Sequence, residues 1–230
     1  MSEVKVPRQP FKLVIFDFDG TLVDSQFNIH NNMVEAFLLN GLPEPTLEDV
    51  RRIVGLKLEY AVAEMLPQDA SWELACMVSD SYRESFVKAR QKPCFEEPVF
   101  AGVREMLQRL DRPETLLAIA TGKNLRGLKK SLDHHGFHDH FVTLKTADDG
   151  PSKPHPEILY QAMAENGVEP QDTVMIGDTT YDIEMARAAG VSAVGVSWGY
   201  HETQMLFDAG AHIVVNSCEE LPERFADLVQ

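Results

Sequence analysis

Short apolar runs rich in β-branched residues recur along the chain, and segments with helical periodicity separate most of them. The runs predicted to be strands are residues 13–16, 116–120, 141–144, 174–176, 193–196 and 213–215. Each run is too short for a typical helix and has the length of a buried strand. Strands that alternate with helices favour a parallel sheet covered by helices on both faces. The pattern therefore predicts an α/β fold with a doubly wound parallel sheet.

One long region interrupts this alternation. Between residue 25 and about residue 91 there is no convincing strand pattern, and helical patterns cover residues 28–39, 47–54, 58–66 and 71–89. We interpret this region as an all-helical cap domain of residues 25–94, inserted into a core domain of residues 1–24 and 95–230. The insertion leaves the sheet after its first strand, so it would lie over the carboxyl ends of the strands, where open α/β sheets bind ligands.

Polar residues follow four of the predicted strands. They are Asp17 and Asp19 after the first strand, Thr121 and Gly122 after the second, Lys153 in the loop after the third, and Asp178 and Asp182 after the fourth. Because the carboxyl ends of parallel strands lie along one edge of a sheet, these residues are expected to share one site. Side chains alternate along a strand, so Asp17 and Asp19 would emerge on the same side.

The residue types of this predicted site suit phosphoryl transfer. Several carboxylates in one pocket repel each other and need a cation, and an all-oxygen environment favours Mg²⁺. A lysine and a hydroxyl beside backbone N–H groups suit a tetrahedral phosphoryl group. One carboxylate can attack phosphorus to form an aspartyl-phosphate, and a second can donate and later accept a proton.

Four motifs in this order resemble those of the haloacid dehalogenase superfamily, and the helical insertion resembles the cap of its phosphoglycolate-phosphatase-like group. The first motif is DFDGT at residues 17–21, the second contains Thr121, the third contains Lys153, and the fourth is GDTTYD at residues 177–182. The resemblance extends from residue 11 to about residue 216. It implies a Rossmann-like core with a helical cap, and a Mg²⁺-dependent phosphatase.

The resemblance also implies roles for the motif residues. Asp17 would be the nucleophile, and Asp19 the general acid and base. The metal would be held by the Asp17 carboxylate, the Asp19 backbone carbonyl and the Asp178 carboxylate. Asp182 would support the metal shell or orient Lys153. The residues that would bind phosphoryl oxygens are Thr121, Gly122 and Lys153.

The sequence leaves two other functions open. A phosphomutase of the same superfamily would pass the phosphoryl group to a hydroxyl of a second substrate, and a non-catalytic phosphate-sensing protein would bind without turnover. Thr21 resembles the phosphatases rather than the mutases, and the complete motif set argues against a sensor. A dehalogenase comes last, because Asp19 and Lys153 follow the phosphatase pattern. Hydrolysis of a small phosphorylated metabolite is therefore predicted, but fold and motifs do not identify the substrate.

Three further segments lie outside these motifs. Arg51 and Arg52 resemble a family stretch of the cap that faces the active site; they would contact an anionic or polyhydroxyl leaving group, or else be exposed helix residues. The histidine-rich run at residues 134–140 begins in the last turn of a predicted helix, where the helix dipole favours imidazoles, and its spacing matches no familiar zinc site. Residues 198–200 are interpreted as packing residues.

Charge and cysteine content indicate which partners are disfavoured and in which compartment the protein is expected. The 230-residue chain has a formal net charge of −15, which disfavours nucleic acid and anionic membranes as partners, because both bind cationic surfaces. Three widely spaced cysteines predict free thiols in a reducing compartment. No apolar stretch resembles a secretory signal or reaches the ~20 residues of a membrane helix. A cytoplasmic protein is expected, and its oligomeric state is not indicated.

Overall fold

The structure, a computed structural model, describes residues 10–228 of the chain. The ends of the predicted core domain, at residues 1–9 and 229–230, lie outside the described residues, and so does most of the segment considered for a secretory signal. The described residues form one sheet of six strands. These are β1 (Leu13–Phe16), β2 (Leu116–Ala120), β3 (Thr143–Lys145), β4 (Thr173–Gly177), β5 (Ser192–Val196) and β6 (Ile213–Val215).

All six strands are parallel, and their order in the sheet is β3-β2-β1-β4-β5-β6. The chain therefore winds outward from the central β1 in one direction, then returns across it and winds in the other. The predicted doubly wound parallel sheet is confirmed. One strand is displaced from its predicted position: β3 begins at Thr143 rather than at residue 141, because a 3₁₀ turn at His138–His140 ends just before it.

Ten α-helices accompany the sheet in the described part of the chain. They are α1 (Gln26–Leu39), α2 (Leu47–Ile53), α3 (Leu58–Met65), α4 (Trp72–Arg90), α5 (Val103–Leu110), α6 (Leu125–His135), α7 (Glu157–Asn166), α8 (Thr180–Ala189), α9 (Thr203–Asp208) and α10 (Leu221–Arg224). Two further 3₁₀ turns occur at Pro170–Asp172 and Phe225–Leu228. Among the described residues, no helix combines the length and the apolar character needed to cross a bilayer.

The central strand β1 is buried on both faces. Val14 and Phe16 join an apolar cluster with residues of α5 and α6, while Leu13 and Ile15 join a second cluster with residues of α7 and α8. All four side chains are inaccessible to solvent. When helices cover both faces of a strand, neither face is exposed to solvent, so apolar and polar residues do not alternate along it. This explains the continuous apolar run in the sequence.

Helices α1–α4 form an apolar cluster of their own above the sheet. Met33, Val50, Val62 and Val78, one from each of the four helices, are buried in it. Helix α2 begins with a capping box, in which Thr46 and the residue three positions later satisfy each other's backbone N–H groups.

The two segments that connect the helical block to the sheet run side by side. Val23 and Val99 form an antiparallel bridge. The Asp24 N–H donates to the Pro98 carbonyl at 2.7 Å, and the Phe100 N–H donates to the Leu22 carbonyl at 3.1 Å. Since the first segment follows β1 directly, this pairing places helices α1–α4 over the carboxyl edge of the sheet.

Candidate active site

Three carboxylates meet at the carboxyl edge of the sheet. Asp17 follows β1, Asp178 follows β4, and Asp182 lies in the first turn of α8. One oxygen of each lies within 4.8 Å of the others, and all three residues are buried. The structure thus brings together three residues that the sequence placed in one site, although Asp17 is 161 positions from Asp178 and 165 from Asp182 in the chain.

Lys153 lies between two of these carboxylates. Its Nζ donates to Asp17 Oδ1 at 2.8 Å and to Asp182 Oδ1 at 2.6 Å, and all three side chains are almost completely buried. Burial alone would lower the pKa of the lysine, but the two carboxylates outweigh it and raise the pKa above its usual value. Asp182 therefore orients a lysine that stays charged, and its other oxygen caps α8 by accepting from the Thr179 N–H and hydroxyl.

Asp178 is held by groups from two loops. It accepts hydrogen bonds from the Thr21 hydroxyl at 2.8 Å and from the Tyr200 N–H at 2.9 Å. Two glycines leave room for it: a Cβ at Gly20 would lie 2.3 Å from Asp178 Oδ2, and one at Gly199 would lie 2.1 Å from Asp178 Cβ. Gly20 also has φ +92°, which an L side chain rarely adopts. Residues 198–200, interpreted from the sequence as packing, thus fix a carboxylate of the site.

The donor set fits a divalent cation. Asp17 Oδ2 is buried and has no hydrogen-bond partner among the described residues. Burial, and to a lesser extent the nearby carboxylates, raise the pKa of Asp17 to about 7 despite the opposing charge of Lys153. Burial, followed by repulsion from Asp182 and Asp17, also raises the pKa of Asp178. Buried carboxylates that repel each other in this way are the hard oxygen ligands that Mg²⁺ binds.

Asp19 has a different lysine partner. Both of its carboxylate oxygens accept from Lys123 Nζ at 2.9 Å, and both side chains are about 10% exposed. The ammonium also lies 5.7 Å from the ring centre of Phe18 and 5.6 Å from that of Phe86. Lys123 was not identified from the sequence, where its only signal is its position next to Thr121 and Gly122.

Thr121 and Gly122 reach the same cavity from the end of β2. The Thr121 hydroxyl accepts from the Lys123 N–H at 3.3 Å, which leaves its own proton free to donate. A Cβ at Gly122 would lie 2.5 Å from the Gly55 carbonyl and 2.7 Å from that of Leu56. The absence of a side chain at Gly122 therefore lets the α2–α3 connection approach the end of the sheet.

A cavity of about 450 Å³ lies between helix α6 and the helical block. Asp17, Asp19, Thr121 and Gly122 line its inner end, next to Lys153, Asp178 and Asp182. Its outer walls come mainly from α4 and α6, and the residues there include Tyr82, Arg83, Phe86, Val87, Arg90, Arg126 and Lys130. None of these outer residues was identified from the sequence, because their approach depends on how two distant helices pack.

Arg51 and Arg52 are not among the residues that line this cavity. Arg51 Nε donates to Gln26 Oε1 at 2.8 Å, and Arg52 pairs with Asp49 at the surface. The following residues, 53–56, do line the cavity. The predicted role of the two arginines in specificity stays a prediction, with their side chains directed to other partners.

The histidines of residues 134–140 have separate partners. His135 is buried and contacts Glu97 at 3.2 Å, whereas His140 contacts Asp111 at 2.7 Å. His134 lies next to His135 in the last turn of α6, as the dipole argument anticipated. Within residues 10–228, this run contributes no member to a group of side chains that could hold a metal ion.

Comparisons with known proteins show that this chain is similar to hydrolases and phosphatases. A family model described as haloacid dehalogenase-like hydrolase matches residues 14–196. The chain is 35% identical to a probable phosphatase, IndB, of Dickeya dadantii over 91% of both chains. It is 32% identical to a phosphoglycolate phosphatase of Chromobacterium violaceum, over 91% of this chain and 94% of that one. A crystal structure of a predicted phosphatase from Clostridium acetobutylicum superposes with a TM-score of 0.84 at 27% identity, covering 94% of this chain and 99% of the other.

Proposed function

Because the chain belongs to the haloacid dehalogenase-like hydrolase family, we propose that it is a Mg²⁺-dependent phosphomonoester hydrolase that forms an aspartyl-phosphate on Asp17. Its substrate is a small phosphorylated metabolite. Relatives named phosphatase and phosphoglycolate phosphatase support this reaction class. Helices α1–α4 act as a cap domain of residues 25–94 that covers the site and restricts the entry of water.

The observation that carries this proposal is the state of the Asp17 carboxylate. Lys153 holds Oδ1 at 2.8 Å, while Oδ2 has no partner within the described part of the chain. A nucleophilic carboxylate needs this combination, in which one oxygen is fixed and the other is left to attack. Asp17 lines the cavity, so this oxygen would meet a phosphoryl group bound there.

Asp17 and Asp178, with the Asp19 backbone carbonyl, would hold the Mg²⁺, and Asp182 would support them through Lys153. When bound, the ion keeps the carboxylates ionised and neutralises charge on the phosphoryl oxygens. Lys153 already compensates part of the negative charge of this cluster.

In the first step, Asp17 Oδ2 attacks phosphorus, the bond from phosphorus to the ester oxygen breaks, and Asp19 donates a proton to the leaving oxygen. In the second step, Asp19 accepts a proton from water as the water oxygen attacks phosphorus. The bond to Asp17 then breaks and phosphate leaves. Thr121, Lys153 and the N–H groups near Gly122 bind the phosphoryl oxygens throughout.

The test is phosphate release from a panel of phosphorylated metabolites, with Mg²⁺ and with a chelator. We expect release only with Mg²⁺, and we expect Asp17→Asn to lower kcat by about 10⁴-fold or more while it unfolds at a similar temperature. The matched control is Asp172→Asn, at the opposite end of the sheet, where the carboxylate pairs with Lys12 at the surface. Acid-quenched enzyme should carry a phosphoryl group on Asp17 by mass spectrometry. Turnover that persists in Asp17→Asn would refute the mechanism.

A further inference from the structure

The cavity reverses the charge balance of the chain. The whole protein has 36 acidic residues and 21 lysines and arginines. The charged residues that line the cavity are six cations, Lys57, Arg83, Arg90, Lys123, Arg126 and Lys130, and four carboxylates, Asp17, Asp19, Glu59 and Asp148. An acidic protein that gathers cations in one cavity creates a local field that attracts anions.

Three of the cations already have partners inside the protein. Lys123, Arg83 and Arg90 each form an ion pair with a buried or half-buried carboxylate. By contrast, the side chains of Lys57, Arg126 and Lys130 form no ion pair or hydrogen bond within residues 10–228. Lys57 is half-buried in the cap, which leaves Arg126 and Lys130 as the exposed pair. They are exposed and lie four residues apart on α6, so they occupy the same face of the helix, about 6 Å apart along its axis.

A second feature of the cavity wall calls for an acceptor. Arg90 lines the cavity, its side chain is 13% exposed, and its guanidinium donates to Glu97 and Ser131. Its Nε is nevertheless buried without an acceptor among the described residues. An unpaired buried donor costs about 1–3 kcal/mol, and more when it is charged, so Arg90 keeps positive charge in the cavity wall that its protein partners do not fully satisfy.

Apolar side chains also line the cavity. Phe86 and Val87 of α4 line its wall, as do Ile29 and Met33 of α1. A volume of about 450 Å³ lies within the range that holds a complete small ligand. The inner end suits a phosphoryl group, the middle suits a carbon skeleton, and the outer end suits an anion.

We propose that the substrate is an elongated phosphate monoester whose leaving group carries a second anionic group, such as a carboxylate or phosphate, bound by Arg126 and Lys130. This assignment rests on the proposed phosphatase function and narrows its substrate class. The two residues determine specificity and take no part in the chemistry at Asp17. Lys129 provides a matched control, because it is an exposed lysine of the same helix that does not line the cavity.

The test compares two series of synthetic esters with increasing chain length. One series has a phosphate ester at one end and a carboxylate at the other, and the second has a neutral hydroxyl in place of the carboxylate. We expect wild-type kcat/KM to favour the carboxylate series by about tenfold or more at the best chain length, which is longer than that of phosphoglycolate. The double variant Arg126→Ala/Lys130→Ala should lose this preference through KM, with unchanged kinetics on the neutral series, while Lys129→Ala keeps it.

Binding of the corresponding non-hydrolysable phosphonates, measured by calorimetry, separates the two proposals. If the esters are hydrolysed but neither kcat/KM nor phosphonate affinity distinguishes the two series, the anion subsite is refuted and the phosphatase stands. If no ester is hydrolysed but the carboxylate phosphonates bind more tightly in a manner that needs Arg126 and Lys130, the subsite stands and the phosphatase is refuted. Equal losses in the double variant and in Lys129→Ala would also refute the subsite.

Discussion

The core wall and the cap wall of the cavity differ in how firmly their side chains are held. The core wall consists of the lining residues that follow β1 and β2, with the buried residues directly behind them. There, Asp17 and the adjoining Lys153 and Asp178 are almost inaccessible to solvent and are fixed by hydrogen bonds from neighbouring loops. On the cap wall, Phe86 is half-buried and Val87 is exposed, at 41%. Contacts of the first kind fix one geometry, whereas apolar contacts of the second kind tolerate changes of shape.

Besides the charged contacts of Arg90 with Glu97 and Ser131, neutral hydrogen bonds join the cap to the core. The Lys57 N–H donates to the Ser152 hydroxyl at 2.9 Å, and the Tyr181 hydroxyl donates to the Arg52 carbonyl at 3.0 Å. Each is a single neutral hydrogen bond with a net contribution of about 1 kcal/mol. We infer that the core wall controls the reaction, whereas the cap wall, together with Arg126 and Lys130 of α6, controls the choice of substrate. Substitutions on the two walls should therefore differ in their kinetic effects.

The largest effect is expected where the core wall has no space to adapt. Gly20→Ala would place a Cβ 2.3 Å from Asp178 Oδ2 and would displace that carboxylate. We expect kcat/KM to fall by about 10²- to 10³-fold for every substrate, since misplacement by about 1 Å can cost 10²-fold. Steady-state kinetics with several esters at saturating Mg²⁺ would measure it.

Gly136→Ala is the control for backbone strain. Gly136 also has a positive φ, of 68°, but a Cβ there would meet nothing within 4 Å. Both variants should lose about 1–2 kcal/mol of stability from the positive φ, and Gly20→Ala should lose more because of its clash, but only Gly20→Ala should lose activity. Equal activity in the two variants would show that the core wall adapts as readily as the cap wall.

The features that could be predicted from the sequence are those that depend on local pattern. Continuous apolar runs locate the strands, and residues such as Asp17 and Asp178 are recognisable because they follow those strands directly. Thr46 and Asp49 similarly identify the start of α2 by their spacing. Most residues of the core wall can therefore be predicted from short sequence segments.

The features that were missed depend on contacts between distant segments. Lys123 meets Asp19 across 104 positions of sequence, and Gly199 meets Asp178 only because the loop after β5 folds back on the site. The pairing of Arg52 with Asp49, three residues earlier on α2, was likewise not predicted. The cap wall is therefore the part that short sequence patterns describe least.

The second-largest effect is expected where α4 of the cap contacts the core around Glu97. The fully buried Glu97 side chain contacts Arg90 of α4 as well as Ser131 and His135 of α6. Burial would raise the pKa of Glu97, but the hydrogen bond from His135 and the charges of Lys123 and Arg90 outweigh it and lower the pKa to about 2. We expect Glu97→Gln to lower the free energy of unfolding at pH 7 by about 3 kcal/mol.

The pH dependence of this effect has a definite sign. Because the pKa of Glu97 is lower in the folded state than in the unfolded state, its contribution is complete above about pH 5 and decreases as the pH falls toward 2. Urea unfolding at pH 7 and pH 4 should therefore show the gap between wild type and Glu97→Gln becoming narrower at pH 4. Glu96→Gln, at the exposed neighbouring position, should show no gap at either pH. A gap that is constant with pH would exclude the ion pairs as its source.

A smaller effect is expected at the boundary between the two walls. Lys123 holds both oxygens of Asp19 and also lies against the cap residue Phe86. Lys123→Ala would free the Asp19 carboxylate to rotate, so kcat should fall by about tenfold for all substrates, as is typical when a positioning contact is lost. Lys145→Ala is the control, because that lysine is also buried and paired, with Glu165, but does not line the cavity. A loss confined to KM would place Lys123 with the cap wall instead.

The smallest effect should come from the cap wall itself. Phe86→Leu keeps an apolar side chain but removes the ring that lies 5.5 Å from the Arg90 guanidinium and 5.6 Å from the Lys123 ammonium. Each such contact contributes about 0.5–1 kcal/mol, so KM should rise by about threefold while kcat is unchanged. The size of the rise should depend on the leaving group, because Phe86 lines the part of the cavity proposed to hold it. Phe27→Leu, an exposed cap position outside the cavity, should leave KM unchanged for every ester. If Phe86→Leu instead lowers kcat equally for all esters, the cap wall takes part in the reaction, and the division between the two walls does not hold.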